Sequence, residues 1–323
     1  MKLQNNRQKP WVGSSSSRVF IFLKFAYHRI ELLILKRFEP YLFLLPSIII
    51  LFVFLFIPLI WNIYISLHDV SILTIIKEWN FVGLKNFYNI FSDSNFYNSV
   101  KVTLVFVCGS VLLQFGIGLV ISLLLNQQVR ASGLFRTLFI IPWTVSTVIT
   151  GFSFKFLFDD SFGIINYGIE KLGLESIGWF SDPNLAIWIV IVANTWYGAP
   201  FTILFLTAGL LSINPTIYEA AIIDGATKIK RFFYITLPLL KSFILTNLIL
   251  VTVWTINFFD LQLIMTNGGP LSSTTTMSLY MYKQAFEFGY FSEGAAVGIL
   301  LIIMNIAVAF VYLKLFDVRN KNT

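Results

Sequence analysis

Apolar residues in this chain run nearly unbroken for twenty residues or more, and short polar segments separate the runs. A helix crossing the hydrocarbon core of a bilayer needs about 20 such residues. The pattern predicts six spans, over Tyr41–Leu67, Val102–Leu125, Thr137–Phe158, Leu185–Leu211, Leu239–Met265 and Ala295–Leu315. A membrane β-barrel would instead alternate apolar and polar residues over strands of about ten. The fold class expected is therefore all-α transmembrane. Pro46, Pro58, Pro142 and Pro200 fall inside the runs, where a missing N–H can kink a helix. Gln114, Asn247 and Asn305 suit hydrogen bonds between helices, and Asp260, near one end of the fifth run, suits pairing with a neighbour.

Composition agrees, at 57% hydrophobic and 12% charged, and the placement of charge adds an orientation. With the N-terminus inside, seventeen of the 23 Lys and Arg lie on the cytosolic side. They comprise those before the first span, Arg130 and Arg136, a group from Lys228 to Lys241, and Lys314, Arg319 and Lys321. Asp159, Asp160, Glu170, Glu175 and Asp182 share one segment on the other side. The positive-inside rule then puts both termini in the cytosol. The net charge of +7 reflects membrane orientation, and scattered basic residues argue against nucleic-acid binding.

Three regions follow: 1–39, 40–316 and a cytosolic tail, 317–323. Residues 1–17 are polar, with serine at 14–17, and read as disordered. From Arg18 to Phe38, Phe and Leu interleave with Lys24, Arg29, Lys36 and Arg37, as in a basic amphipathic helix on the inner leaflet. Those charges would cost about 2.5–3.5 kcal/mol each near a bilayer centre, which disfavours a seventh span. A cleaved signal peptide is disfavoured too, because the first span is long and no small-residue cleavage site follows it.

Reactive chemistry is sparse. Cys108 is the single cysteine, and His28 and His68 fall on opposite sides of the membrane, so no disulfide and no metal site is expected. No Gly-x-x-x-x-Gly-Lys phosphate loop is present, so the chain is not expected to hydrolyse nucleotides.

Between the fourth and fifth spans, residues 212–238 form a polar segment with a distinctive core, EAAIIDGATKIKRFFYITLP from Glu219 to Pro238. Asn214-Pro215-Thr216 supplies capping groups and a proline suited to a helix start, and Gly225 permits a sharp turn. The spacing of Glu219, Ala220, Ala221, Gly225, Ile235, Leu237 and Pro238 resembles the EAA loop of permease subunits in binding-protein-dependent ABC importers. FDLQLIMTNGGP, Phe259–Pro270, and SLYMYKQAFEFGYFSEGAAVG, Ser278–Gly298, are similar to sugar-type permeases of the maltose and glycerol-phosphate class. The resemblance covers about residues 40–315. It implies a six-helix type I importer permease in a bacterial cytoplasmic membrane, with the coupling role on Glu219, Ala220, Ala221, Asp224, Gly225 and Ala226.

The same resemblance implies the partners. They are a second permease, two copies of a cytosolic ATPase that carry ATP and Mg, and an extracytoplasmic sugar-binding protein that delivers a sugar or oligosaccharide, neutral or acidic; this chain itself binds no cofactor. Helical spacing suggests where the sugar passes. Asn194, Tyr197, Gly198 and Phe201 share one face of the fourth span, and Val251, Trp254, Thr255 and Phe258 share one face of the fifth. Amide, hydroxyl and aromatic groups together suit a wet cavity that receives sugar rings, although small and aromatic residues also pack helix on helix. Competing readings are an amino-acid or peptide importer, which Phe259–Pro270 and the aromatic face oppose, and an ion-coupled secondary transporter. Against the latter stand the EAA segment, the lack of a recognisable inverted repeat and the lack of a mid-span Asp, Glu or His.

Overall fold

The structure, a computed structural model, describes residues 41, 43–126 and 132–316; the expected interfacial helix at 18–38 and both terminal tails lie outside them. The described residues are helical apart from loops and one isolated bridge between His68 and Phe81. In chain order the helices are α1 (Phe43–Ser66), α2 (Lys85–Ser92), α3 (Ser94–Asn126), α4 (Ser132–Thr144), α5 (Thr147–Leu157), α6 (Ile164–Lys171) and α7 (Pro183–Leu211). They continue as α8 (Pro215–Ile223), α9 (Lys228–Leu239), α10 (Lys241–Asn257), α11 (Asp260–Thr266), α12 (Met277–Tyr282) and α13 (Phe291–Leu315). The described residues divide into two units, one ending at Trp61 and one beginning at Asn62.

Among the described residues four helices, α1, α3, α7 and α13, are long and apolar enough to cross a membrane singly, and the total reaches six if each of two bent pairs is one span. Their starts have local causes. Asp182 caps α7, its Oδ1 accepting from Asn184 N at 2.7 Å, and Pro183 occupies the first turn, where its missing N–H is harmless. Helix α3 begins eight residues before the expected Val102, since Asp93 Oδ1 accepts from Asn95 N at 2.9 Å and residues 94–101, mostly polar, continue the helix below the hydropathy of a span.

Two expected spans are not straight. In place of one run over Thr137–Phe158, α4 and α5 meet at 92°. Pro142 takes one N–H from the end of α4, and Ser146, extended at ψ 140°, starts α5 by accepting from Val148 N. The run expected over Leu239–Met265 is broken twice. Helix α9 begins at Lys228, carries a π-turn over Phe232–Thr236 ahead of Pro238, and bends by 65° into α10. The chain then leaves the helix at Phe258 (ψ 124°), and Asp260 opens the separate helix α11. A second π-turn, Phe52–Phe56, precedes Pro58 in α1.

In the second unit α7 is the hub. It packs along α3 through Phe106, Val190 and Ile191, with Leu261 and Met265 of α11 closing that core. Gly118 permits the close approach, because a Cβ there would meet Thr202 Cβ at 2.7 Å and Ile203 N at 3.4 Å. A second core joins Ile256 of α10, Tyr280 of α12 and Ala296 and Val297 of α13. A third, Leu206 and Leu210 with Leu240 and Ile244, ties the end of α7 to the start of α10 and so holds both ends of the polar segment together. The three polar residues expected to bond between helices do so, Gln114 Nε2 to Asn194 O, Asn247 Nδ2 to Thr202 Oγ1 and Asn305 Nδ2 to Asn257 Oδ1.

Candidate functional site

The polar segment after α7 folds as a helical hairpin. Asn214 Oδ1 accepts from Thr216 N at 3.1 Å, Pro215 takes the first helical position, and α8 carries Glu219, Ala220 and Ala221. It ends in a Schellman motif, with Ala226 N donating to Ala221 O at 2.9 Å and Gly225 N to Ile222 O at 3.0 Å. Gly225 sits at φ +76° with no atom within 4 Å of the place its Cβ would take. Left-handed backbone, and no lack of room, is thus the reason for glycine. Thr227 Oγ1 then accepts from Lys230 N at the start of α9, and the Tyr218 hydroxyl reaches Thr236 Oγ1 at 3.0 Å, pinning α8 to α9.

Of the residues expected to couple, Ala221 is buried and Ala226 half-buried, while Glu219, Ala220, Asp224 and Gly225 are exposed. Around them Ile222 and Ile223 stand in solvent, 55% and 85% exposed, together with Ile229 and Tyr234. Apolar groups clustered on a polar loop mark an interaction surface.

A cavity of about 50 Å³ lies between α3, α7 and α10. Its wall contains every residue expected along the path, Asn194, Tyr197, Gly198 and Phe201 from α7 and Val251, Trp254, Thr255 and Phe258 from α10 and its end. Gln114 of α3 completes it. Two aromatic pairs shape the wall: Tyr197 stacks on Phe258 at 5.8 Å and 23°, and Phe201 meets Trp254 edge-on at 4.7 Å. Gln114 Nε2 donates to Asn194 O at 3.4 Å, while the Asn194 Nδ2 donor is buried with no hydrogen-bond partner in the structure. Thr255 gives its hydroxyl proton to Val251 O at 2.7 Å, which leaves it an acceptor toward the cavity.

None of the nine lining residues is charged. The donors, acceptors and ring faces present suit a neutral, hydroxyl-bearing ligand. At about 50 Å³ the space admits water or a single hydroxyl, well under the roughly 300 Å³ of ordinary ligand pockets. The other side of α7 borders a larger cavity, about 480 Å³, lined by aliphatic and aromatic residues such as Leu113, Ile117, Leu138 and Trp196 with Thr195. It lacks a set of polar groups to orient a sugar.

Sequence reasoning missed Gln114 as a lining residue because no local pattern says which helix faces Gly198. In the structure a Cβ on Gly198 would meet the Gln114 carboxamide, Cδ at 2.7 Å, so each position explains the other. Elsewhere, Asp260 accepts from Thr147 Oγ1 at 3.2 Å across the α5–α11 contact. His68 Nδ1 lies 2.7 Å from Tyr64 O, a local bond, and Cys108 is free. Among the described residues no group of three or more His, Cys, Asp or Glu could hold a metal ion.

Comparison with known proteins bears on this geometry. Residues 114–321 match the family model of the binding-protein-dependent transport system inner membrane component. The chain is 37% identical to the trehalose/maltose transport system permease protein of Thermococcus litoralis, over 85% of this chain and 92% of that one. It is 33% identical to the sulfoquinovosyl glycerol transport system permease protein of Agrobacterium fabrum, over 86% and 90%. Among solved structures, a chain of a bacterial alginate ABC transporter, in complex with its alginate pentasaccharide-bound periplasmic protein, superposes with a TM-score of 0.76 at 24% identity, covering 90% of this chain and 97% of that one. The match over most of the helical core, including the hairpin and the cavity, shows that the chain belongs to the family of inner membrane components of binding-protein-dependent transport systems, the non-catalytic permease subunits of ABC importers.

Proposed function

We propose that this chain is one half of the translocation pathway of an ATP-driven sugar or oligosaccharide importer. A second, similar permease would supply the facing half, and two ATPases would dock on the hairpin of α8 and α9. An extracytoplasmic binding protein would deliver the sugar to the far side. In this reading each bent helix pair is one span, giving six, and the basic residues hold the hairpin in the cytosol of a bacterial cell. ATP and Mg belong to the ATPases.

The observation that carries the sugar reading is the uncharged cavity wall, in which stacked rings stand beside an unpaired amide donor. Ring faces pack on the apolar faces of pyranoses, and the amides and Thr255 match hydroxyls. Amino acids or peptides would need a charged partner for an ammonium or carboxylate, and the wall has none. The name of the trehalose/maltose relative supports the same class.

Mechanically, the hairpin would carry ATPase closure to α7 and α10 directly, since the core of Leu206, Leu210, Leu240 and Ile244 joins both helices next to it. Closure of the ATPases would then part α7 from α10 on the outer side and open the cavity, and hydrolysis would return it. The test is uptake by proteoliposomes holding the complete importer, with Asn194→Ala and Trp254→Ala beside wild type. Both variants should assemble but lower sugar uptake and change which glycans stimulate ATP hydrolysis. Wild-type uptake with unchanged glycan preference in both would refute the cavity's role.

A further inference from the structure

The aromatic wall does not stop at the cavity. Helix α7 carries Tyr197, Phe201 and Phe205 at successive steps of four, which places them in one row. The Phe201 and Phe205 ring centroids are 5.5 Å apart, and the Phe205 ring lies 5.9 Å from that of Phe243 in α10. Phe205 lies one turn beyond the lining residue Phe201, and Phe243 about two turns beyond Val251, both toward the hairpin. Phe243 is seated over Gly209, where a Cβ would come within 2.7 Å of its Cγ, so its ring is held against the α7 backbone. Both rings are half-buried, enough exposed to offer a face.

We infer that Phe205 and Phe243 continue the path as a stacking track, along which a sugar ring passes from the cavity toward the hairpin end of α7 and α10. The inference rests on the sugar-importer reading above. Its physical basis is the requirement that a pathway bind its cargo at several weak sites, strongly enough to enter and loosely enough to leave. Rings spaced one helical turn apart meet that requirement: a pyranose leaving Phe201 meets Phe205 before it reaches solvent. Here the rings touch one another, at 33° and 62° between planes, which closes the track until α7 and α10 separate.

The test is sugar uptake and sugar-stimulated ATP hydrolysis by the complete importer in proteoliposomes, with Tyr, Leu and Ala substituted in turn at Phe205 and at Phe243. Phe→Tyr should keep uptake within about twofold of wild type. Phe→Leu and Phe→Ala should lower maximal uptake about 2- to 12-fold, the worth of one aromatic contact. The half-saturating concentration and the stimulated ATP hydrolysis should stay unchanged, because capture precedes the track, so sugar moved per ATP falls. Full uptake in Phe→Leu would mean that the rings only fill space, and the track is wrong while the importer stands. ATP hydrolysis falling in step with uptake would equally overturn it, as the sign of a structural role. Failure of wild type to import any glycan would instead refute the sugar reading, and the track with it.

Discussion

The sharpest prediction concerns Gly225. Its φ of +76° closes the Schellman turn that ends α8, and nothing lies within 4 Å of a Cβ built there. A side chain would therefore clash with nothing, and the whole penalty is the left-handed backbone, about 1–2 kcal/mol for an ordinary L-residue. Asparagine tolerates that conformation better than alanine, and β-branched valine worst. A penalty of 1–2 kcal/mol changes a two-state population about 5- to 30-fold. If α8 must present Glu219 and Ile222–Ile223 to an ATPase with this turn formed, apparent affinity drops by the fraction of turn lost. The expected order of ATPase co-purification and of sugar-stimulated hydrolysis is wild type, then Gly225→Asn, then Gly225→Ala, then Gly225→Val. Side-chain volume would predict alanine ahead of asparagine, so that pair decides. Gly225→Asn performing below Gly225→Ala, or all variants performing alike, would refute the conformational argument. Glu219→Lys, which alters charge on an exposed helix without touching the turn, should loosen the ATPase while leaving the permease folded.

Three further outcomes follow from the structure. In a Cys108→Ala background, Lys228→Cys should resist a membrane-impermeant maleimide in intact cells while Glu175→Cys labels; the reverse pattern would invert the orientation. Gly118→Val should destabilise the α3–α7 contact by about 1–3 kcal/mol by overpacking against Thr202, measurable as a lower thermal midpoint in detergent, whereas Gly116→Ala, where a Cβ meets nothing within 4 Å, should not. Tyr280 donates to Asp93 Oδ2 at 2.7 Å, and burial first and that bond second hold its phenol above the usual tyrosine range. The contact's stability is then complete below about pH 10, where an unfolded tyrosine starts to ionise, and declines as pH rises beyond it. Tyr280→Phe should lose that alkaline decline in an unfolding titration.

Much of this protein is legible along the chain because the physics behind it is local. A bilayer demands apolar runs of fixed length, so the membrane-spanning stretches of α1, α3, α7 and α13 follow from hydropathy, though the starts of α3 and α13 do not. The turn at Gly225 follows from residues within a few positions of it, Asn214 and Pro215 at one end of α8 and the glycine at the other. Spacing of three and four residues put Asn194, Tyr197, Gly198 and Phe201 on one face of α7, and Val251, Trp254 and Thr255 on one face of α10. What only the tertiary structure decided is where helices bend and which faces meet. Hydropathy runs on through Val145, Leu240 and Phe258, yet the chain turns at all three; Ser146 caps a new helix after the first, and Asp260, bonded to Thr147, opens one after the third. Gln114 joins the cavity, and Phe205 meets Phe243, through contacts between residues far apart in the sequence. Such contacts are set by how closely backbones can approach at Gly118, Gly198 and Gly209, a property of two packed surfaces that neither helix carries in its own periodicity.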